Sequence, residues 1–553
     1  MSMWVGLAVL AYLIAIGYLG YRGYKGTLSA TDYLIAGRGT HPYIMAMSYG
    51  STFISTSAIV GFGGVAAMYG FGLMWLAFMN ILVGIFVAFV LFGSRTRHMG
   101  HRLDAHTFPE FLGRRFQSPF IQGFSGALIF LVMPLYTAAV LLATAKYVAE
   151  QLGMPYETAL FVFSAVVAVY VIMGGIKGVM YTDALQATIM VAGMSVLLVL
   201  TYHLLGGFSS VHRELSGLAA QVPEKLIKAG HQGWTRMPAF GSPLWWTLVS
   251  TIMAGVGIGV LAQPQLAVRY MTVRSTKEIN RGVPTGGLFI MLTVGFAYIV
   301  GPLTNVYFFR KLGKISLVAA AGDVEKIIPM YIKDALPEWF AVLFMLTVLS
   351  AAMSTLSGQF HAMGTSLGRD LYEQVLRKGR KAGTVLATRV GVALGILISV
   401  FLAFSLEKKF GKTGTEIVAR GTAIFFGLCA CAFLPMYIGA LWSRAVTRAG
   451  AVAGMLGGAF SSLFWMLFVH EKASTALLLC NKLFGVRSLG ITLEDGVEKF
   501  CRAGPVIWAF VDPAIIGFPV AVVLTVAVSA VTRKPASEHL DHCFGTPAPA
   551  PAP

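Results

Sequence analysis

Apolar runs of roughly 20 residues recur along the whole chain, and each is long enough to cross the hydrocarbon core of a bilayer as a helix. In order they predict spans over 3–20, 43–70, 72–94, 119–148, 156–174 and 181–203. After a polar stretch at 204–242 come 243–268, 281–308, 337–366, 385–404 and 418–441, and then 447–469 and 512–532. The first run is a span rather than a signal peptide. No basic segment precedes it, no small-residue cleavage site follows it, and Arg22 and Lys25 lie after it. Counted this way the chain is an all-α polytopic membrane protein of about 13 helices. One helix is followed by five and then by five more. An odd number of crossings reverses the second set, so two five-helix repeats of inverted topology are expected.

The chain then divides into an N-terminal helix with its loop (1–42), a first repeat (43–203), a polar loop (204–242) and a second repeat (243–441). Two further helices with a loop between them fill 442–534. The tail 535–553, ending in alternating Pro and Ala, is expected to be disordered.

Two spans break the apolar pattern. Gly50–Gly64 reads GSTFISTSAIVGFGG and places Ser51, Thr52, Ser55, Thr56 and Ser57 inside a membrane crossing. In lipid every backbone polar group must be satisfied internally, so such a mixture belongs where a helix is interrupted and holds something. Close packing through small residues explains the glycines, but not the density of hydroxyls. A second interruption, Ala254–Pro264 (AGVGIGVLAQP), opens the second repeat. Paired breaks at corresponding places in two halves point to a transporter binding site near the midplane.

Composition and charge sharpen the class. The chain is 56% hydrophobic and 12% charged, against about 25% charged in a soluble domain. The net charge of +18 would suggest nucleic acid in a soluble protein. Here it sorts by loop instead. Arg95, Arg97, Arg102, Arg114 and Arg115 share one short loop, and Arg377, Lys378, Arg380 and Lys381 share another. The positive-inside rule then puts the N-terminus outside and the C-terminus in the cytoplasm. Cys429 and Cys431 fall in a span, whereas Cys480 and Cys501 share the last outside loop. A disulfide is permitted there, although two free thiols are the favoured reading.

Ionisable residues in spans are costly and are functional candidates. Asp183 sits near the start of the sixth span with Gln186 one turn on. It either completes a cation site or lines the inner exit, or it caps the helix after the Lys177 loop. In the ninth span Ala351, Ser354 and Thr355 share one helix face. Two hydroxyls and a freed carbonyl suit a hard cation, whereas a plain hydroxyl seam between helices is the heavier reading of these residues alone.

Together GGIKGVMYTDALQATIM, AAMSTLSGQ followed by RDLYE, AQPQLAVRYM and HTFPEFLGRRF resemble the sodium:solute symporter family, which includes proline and pantothenate permeases and sodium–sugar cotransporters. The resemblance implies a leucine-transporter-like 5+5 core and coupling to Na+. It places Na+ on the carbonyls of Ser51, Ile54 and Ala351 and the hydroxyls of Ser354 and Thr355, with Asp183 completing the set. Ser55 matches a serine near that ion. Where the proline permease has an aspartate, this chain has Phe53, which counts against proline. The resemblance puts the solute beside Ser55, Ser57, Tyr136, Val256, Val260 and Gln263. Ser57, Val256 and Val260 stand where the permease has aromatic residues, and the amides and acids of sugar carriers are missing. MPYETALFVF and QLAVRYM are similar to pantothenate permeases.

The expected function is therefore Na+-coupled import of a small organic solute by alternating access. A carboxylate such as pantothenate or a monocarboxylate leads, and a proton-coupled carrier or a proline-type Na+ symporter are the alternatives. No mid-span arginine offers a carboxylate clamp, though half-helix N-termini hold anions without one. No catalytic constellation is visible, so no enzyme is expected; partners are the solute and the lipid bilayer, not nucleic acid, and a bacterial inner membrane is the expected location. His361 reads as a packing residue, HTFPEFLGRRF as a loop helix under the core, and Ala473–Phe484 as an amphipathic outside segment.

Overall fold

The computed structural model describes residues 3–377, 383–494 and 497–545. Among them, 11 helices are long and apolar enough to cross a membrane. Several exceed any bilayer. Tyr156–Leu204 has 49 residues and would run about 74 Å if straight, against a hydrocarbon thickness of about 30 Å. Gly175 divides it, with φ 55° and ψ −157°, a region that essentially only glycine occupies. The break falls between the expected spans 156–174 and 181–203. Gly70, at φ 75°, likewise bends Ser57–Arg102 between the expected spans 43–70 and 72–94. The expected spans 385–404 and 418–441 are bridged by continuous helix, since Thr384–Leu428 is unbroken.

Both expected interruptions are present and are shorter than the sequence suggests. Helix Pro42–Phe53 stops at Ile54, whose φ and ψ of −92° and 97° are extended, and helix resumes as a wide-turn segment, Ser57–Gly61. The second break is one residue wide. Gln263, at φ −73° and ψ 124°, separates Val260–Ala262 from Pro264–Ala267. Proline explains the stop, because its ring excludes the preceding residue from the helical region.

The described surface is inverted relative to a soluble protein: Leu131, Val199, Phe401, Phe460 and Val531 are among many exposed large apolar side chains. Polar groups lie inside. The N-terminal helix Met3–Lys25 reaches that interior through Tyr12, whose hydroxyl accepts from Gln186 Nε2 at 3.2 Å and Ser350 Oγ at 3.3 Å. HTFPEFLGRRF does form a loop helix, Phe108–Arg115, capped by Thr107.

One feature of the C-terminal region differs from expectation, and two others gain detail. The stretch 535–553 is not wholly disordered: Ser537–Phe544 is a helix seated on the basic loops, with an Asp541–Arg444 ion pair at 2.8 Å and Arg115 over the Phe544 ring. Residues 546–553 lie outside the described residues. The amphipathic segment at 473–484 is two short helices, Glu471–Leu477 and Leu479–Phe484, followed by two small antiparallel hairpins, Ile491–Glu494 with Val497–Phe500 and Arg502–Ala503 with Val506–Ile507. Cys480 and Cys501 are free thiols, each facing a backbone carbonyl.

Candidate cation and solute site

A helix that stops leaves its last carbonyls without partners. The first broken helix therefore presents Ser51 and Thr52 oxygens to whatever packs against it, and Glu338–Thr365 supplies the neighbour. Ser354 Oγ lies 2.9 Å from Ser51 O and 3.2 Å from Ala351 O. Thr355 Oγ1 lies 3.2 Å from Thr52 O and 3.5 Å from Ser51 O. Ser354 also reaches its own helix at Ser350 O, 2.8 Å away, so the seam geometry and the oxygen cluster coexist. Four of the residues singled out by sequence, Ser51, Ala351, Ser354 and Thr355, thus converge on one point. Each is almost wholly buried. Ile54 caps the broken helix two residues beyond Thr52, and its own carbonyl has left the helical path.

Asp183 does not cap a helix start. It is fully buried within Tyr156–Leu204. Its Oδ2 accepts from Ser48 Oγ at 2.7 Å, from Thr52 Oγ1 at 3.3 Å and from Arg269 Nη2 at 3.0 Å, and its Oδ1 accepts from Ser357 Oγ at 3.1 Å. The carboxylate is thus occupied by hydroxyls and a guanidinium rather than by Ser354 or Thr355. Thr52 connects the two groups, since its hydroxyl also lies 3.2 Å from Ser354 O.

Arg269, one residue past the expected span 243–268, was not among the expected site residues, yet it lies inside the bundle. It is 1% exposed, and Nε donates to Ser48 Oγ at 2.8 Å, Nη2 to Thr52 Oγ1 at 2.6 Å and Nη1 to Gln265 O. The sequence places it past the end of an apolar run. Only the chain's turn after Gln263 carries it inward. Ser48 and Ser357 carry no mark in the sequence, and Thr52 stands out there only as one of several hydroxyls, for a related reason: their roles depend on facing Asp183, and nothing in their local pattern records that.

The expected solute residues are more dispersed. Ser55 is buried in the first break, and Ser57 and Val256 are half-buried. Val260 packs beside Phe53 at Gly84. Tyr136 is buried against Phe425 and Phe426, with ring centroids 6.0 and 5.8 Å away. Gln263 Oε1 accepts from Gln265 Nε2 at 2.6 Å. The site is richer in amides than the sequence suggested, because Gln265 and Gln359 join Gln263 as buried residues. His361 is buried near Tyr33, 5.9 Å between ring centroids, and both of its ring nitrogens lack a hydrogen-bond partner.

Residues 33–458 match the Sodium:solute symporter family, which covers most of the chain. The protein belongs to that family. It is accordingly a transporter and not an enzyme, and Na+ is its co-transported ion. Among curated relatives, the osmoregulated proline transporter OpuE of Bacillus subtilis (strain 168) is 26% identical over 458 residues, 82% of this chain and 87% of the relative. The sodium/proline symporter of Escherichia coli (strain K12) is 26% identical over 447 residues, 80% and 84% of the two chains. A solved Na+-coupled sialic acid symporter in a substrate-bound outward-open state superposes with a TM-score of 0.73 at 15% identity, covering 96% of this chain and 98% of that one. That likeness establishes the leucine-transporter-like helical fold. For this symporter, then, the oxygen cluster and the buried Asp183–Arg269 layer are the features the fold has to position.

Proposed function

We propose that this symporter imports a small zwitterionic amino or imino acid together with Na+, with the ion held by Ser51 O, Ile54 O, Ala351 O, Ser354 Oγ and Thr355 Oγ1. The observation that carries the reading is the convergence of oxygens from a broken helix and an intact one, with no carboxylate among the four that meet. Such a neutral oxygen set suits Na+ better than a proton, which needs a titratable group. Asp183 acts one layer away, holding Thr52 and Ser48 in place. The curated relatives named as proline transporters support an amino or imino acid over the other solutes. Arg269 adds to this: its charge is spent on Asp183, so the layer beneath the site is neutral overall and favours a solute with no net charge.

A small carboxylate such as pantothenate or a monocarboxylate is the second reading, favoured by Phe53 and by the aliphatic Val256 and Val260. Coupling follows from linkage. An ion that binds only when the broken helix and its neighbour are together raises solute affinity by the same factor by which the solute raises the affinity for the ion. We further place the N-terminus outside and the C-terminus in the cytoplasm of a bacterial inner membrane, on the strength of the basic short loops.

The test is uptake of labelled proline, pantothenate, pyruvate, acetate and glucose into proteoliposomes with and without an inward Na+ gradient. Proline should accumulate only with Na+, and replacing Ser354 and Thr355 together by alanine should abolish accumulation. Uptake that follows a proton gradient and ignores both hydroxyls would overturn the ion assignment.

A further inference from the structure

Buried polar groups in folded proteins nearly always have a hydrogen-bond partner, and those that do not call for an explanation. Next to the oxygen cluster, several have none. Gln359 is completely buried, and neither Oε1 nor Nε2 has a partner. It lies four residues beyond Thr355, so it shares a helix face with the cation-cluster hydroxyl and stands one turn away. The Tyr136 hydroxyl is the neighbouring group that its amide influences, without a hydrogen bond of ordinary geometry between them, and Tyr136 is backed by Phe425 and Phe426. The preceding residue, Gly358, is packed against Thr52 of the first broken helix: an added Cβ would lie 2.6 Å from Thr52 Cγ2. Gln359 therefore occupies the seam where the intact helix, the first break and the Tyr136 helix meet.

The second break presents a matching pair. Gln265 Nε2 donates to Gln263 Oε1, which leaves Gln263 Nε2 and Gln265 Oε1 without partners. Turning both amides over exchanges the roles but still leaves one donor and one acceptor free. Gln265 is in turn tied to the first break, since Arg269 donates to its carbonyl and to Thr52 Oγ1. Gln265 and Gly358 line the same cavity.

We propose that Gln359 is the solute-selecting residue of this symporter: Nε2 donates to the carboxylate of an amino or imino acid while Oε1 accepts from its ammonium or iminium N–H. Gln263 and Gln265 supply a second donor and acceptor from the second break, whose Gln265 lines a cavity together with Gly358, the residue before Gln359. A ligand with both kinds of group satisfies all of these atoms, whereas a simple monocarboxylate leaves the acceptors empty. The inference rests on the amino- or imino-acid reading given above. It also explains why a fully polar side chain is kept at a buried position, since an unsatisfied amide costs free energy until the solute arrives.

The test uses the full-length protein in proteoliposomes, with labelled L-proline as probe and Gln359→Leu and Gln359→Glu as variants. Gln359→Leu is expected to raise the KM for proline at least about tenfold, leave the half-saturating Na+ concentration of ion binding unchanged, and hold or raise the melting temperature. Gln359→Glu keeps the size and the acceptor but puts a negative charge against the solute carboxylate. It should lose proline uptake while becoming more sensitive to competition by pyrrolidine, which has the amine and no carboxylate. An unchanged KM in Gln359→Leu overturns the proposal. So does a rise in KM accompanied by an equal loss of Na+ affinity and a lower melting temperature, which marks a structural role. If the unmodified protein accumulates pyruvate or pantothenate with Na+ but no proline, the amino-acid reading fails first and the Gln359 assignment falls with it.

Discussion

At the scale of single residues, the Asp183–Arg269 pair shows how a charge is kept inside a membrane protein. Both side chains are about 99–100% buried. Each is bound to hydroxyls as well as to the other, as a buried pair must be if its desolvation is to be offset. Removing one partner strands the other. Asp183→Asn should therefore destabilise the folded protein by about 3–5 kcal/mol, read as a fall in melting temperature in detergent. Arg269→Gln added to it should recover part of that loss, because two neutral amides retain hydrogen bonds to Ser48 and Thr52 without a stranded charge. No recovery would mean that Arg269 serves something other than Asp183. The sequence marks Asp183 as a candidate because an acid inside an apolar run stands out. Its partner lies 86 residues away and looks like a topology charge until the second break is built.

At the scale of elements, the loop helix Phe108–Arg115 is fastened to the end of the hydroxyl-bearing helix. Glu110 Oε1 accepts from Arg369 Nη2 at 2.8 Å and from Arg114 Nη2 at 2.6 Å, and Thr107 Oγ1 donates to Asp370 Oδ1 at 2.7 Å. Burial acts to raise the Glu110 carboxyl, but hydrogen bonding from His106 and the Arg369 and Arg114 charges outweigh it and hold it at about 2. The sign follows from linkage. With its folded value below the unfolded one, Glu110 contributes stability that is complete above the ordinary carboxylate range, near 4.3, and fades as pH falls toward about 2. Glu110→Gln imitates the protonated state at all pH values. It should lower the melting temperature at pH 7 and flatten its decline between about pH 4.5 and pH 2. An equal slope in both proteins would assign the acid sensitivity elsewhere.

For the whole molecule, the tail and the basic loops form one surface. Arg115 is fully buried and donates to Ala440 O at 3.2 Å and Ser443 O at 2.8 Å. His539 of the tail helix meets Arg115 O at 3.0 Å. Deleting 535–553 should thus uncover Arg115 and speed tryptic cleavage within 95–115, while Na+ binding at the distant oxygen cluster stays intact. Cleavage only from the cytoplasmic face, in oriented membrane vesicles, would support the proposed placing of the C-terminus, and cleavage only from the outer face would reverse it.

The sequence by itself determined the class, the two interruptions and the hydroxyl face. Each of these is written in local pattern: apolar length, glycine and hydroxyl density, and i, i+3, i+4 spacing. It also carried Ser354, Thr355 and Asp183, because polar groups are conspicuous where lipid surrounds the helix. Only the tertiary structure decided what those groups face. Asp183 turned out to be spent on Arg269 and two hydroxyls of the first broken helix. The glutamines of two distant segments turned out to share unsatisfied amides, and a tail expected to be disordered found a basic surface to dock on. Spacing along a helix fixes which side a residue lies on. What stands opposite depends on how the chain returns, and in this protein it returns through breaks of one or two residues that set direction without leaving a periodic signal.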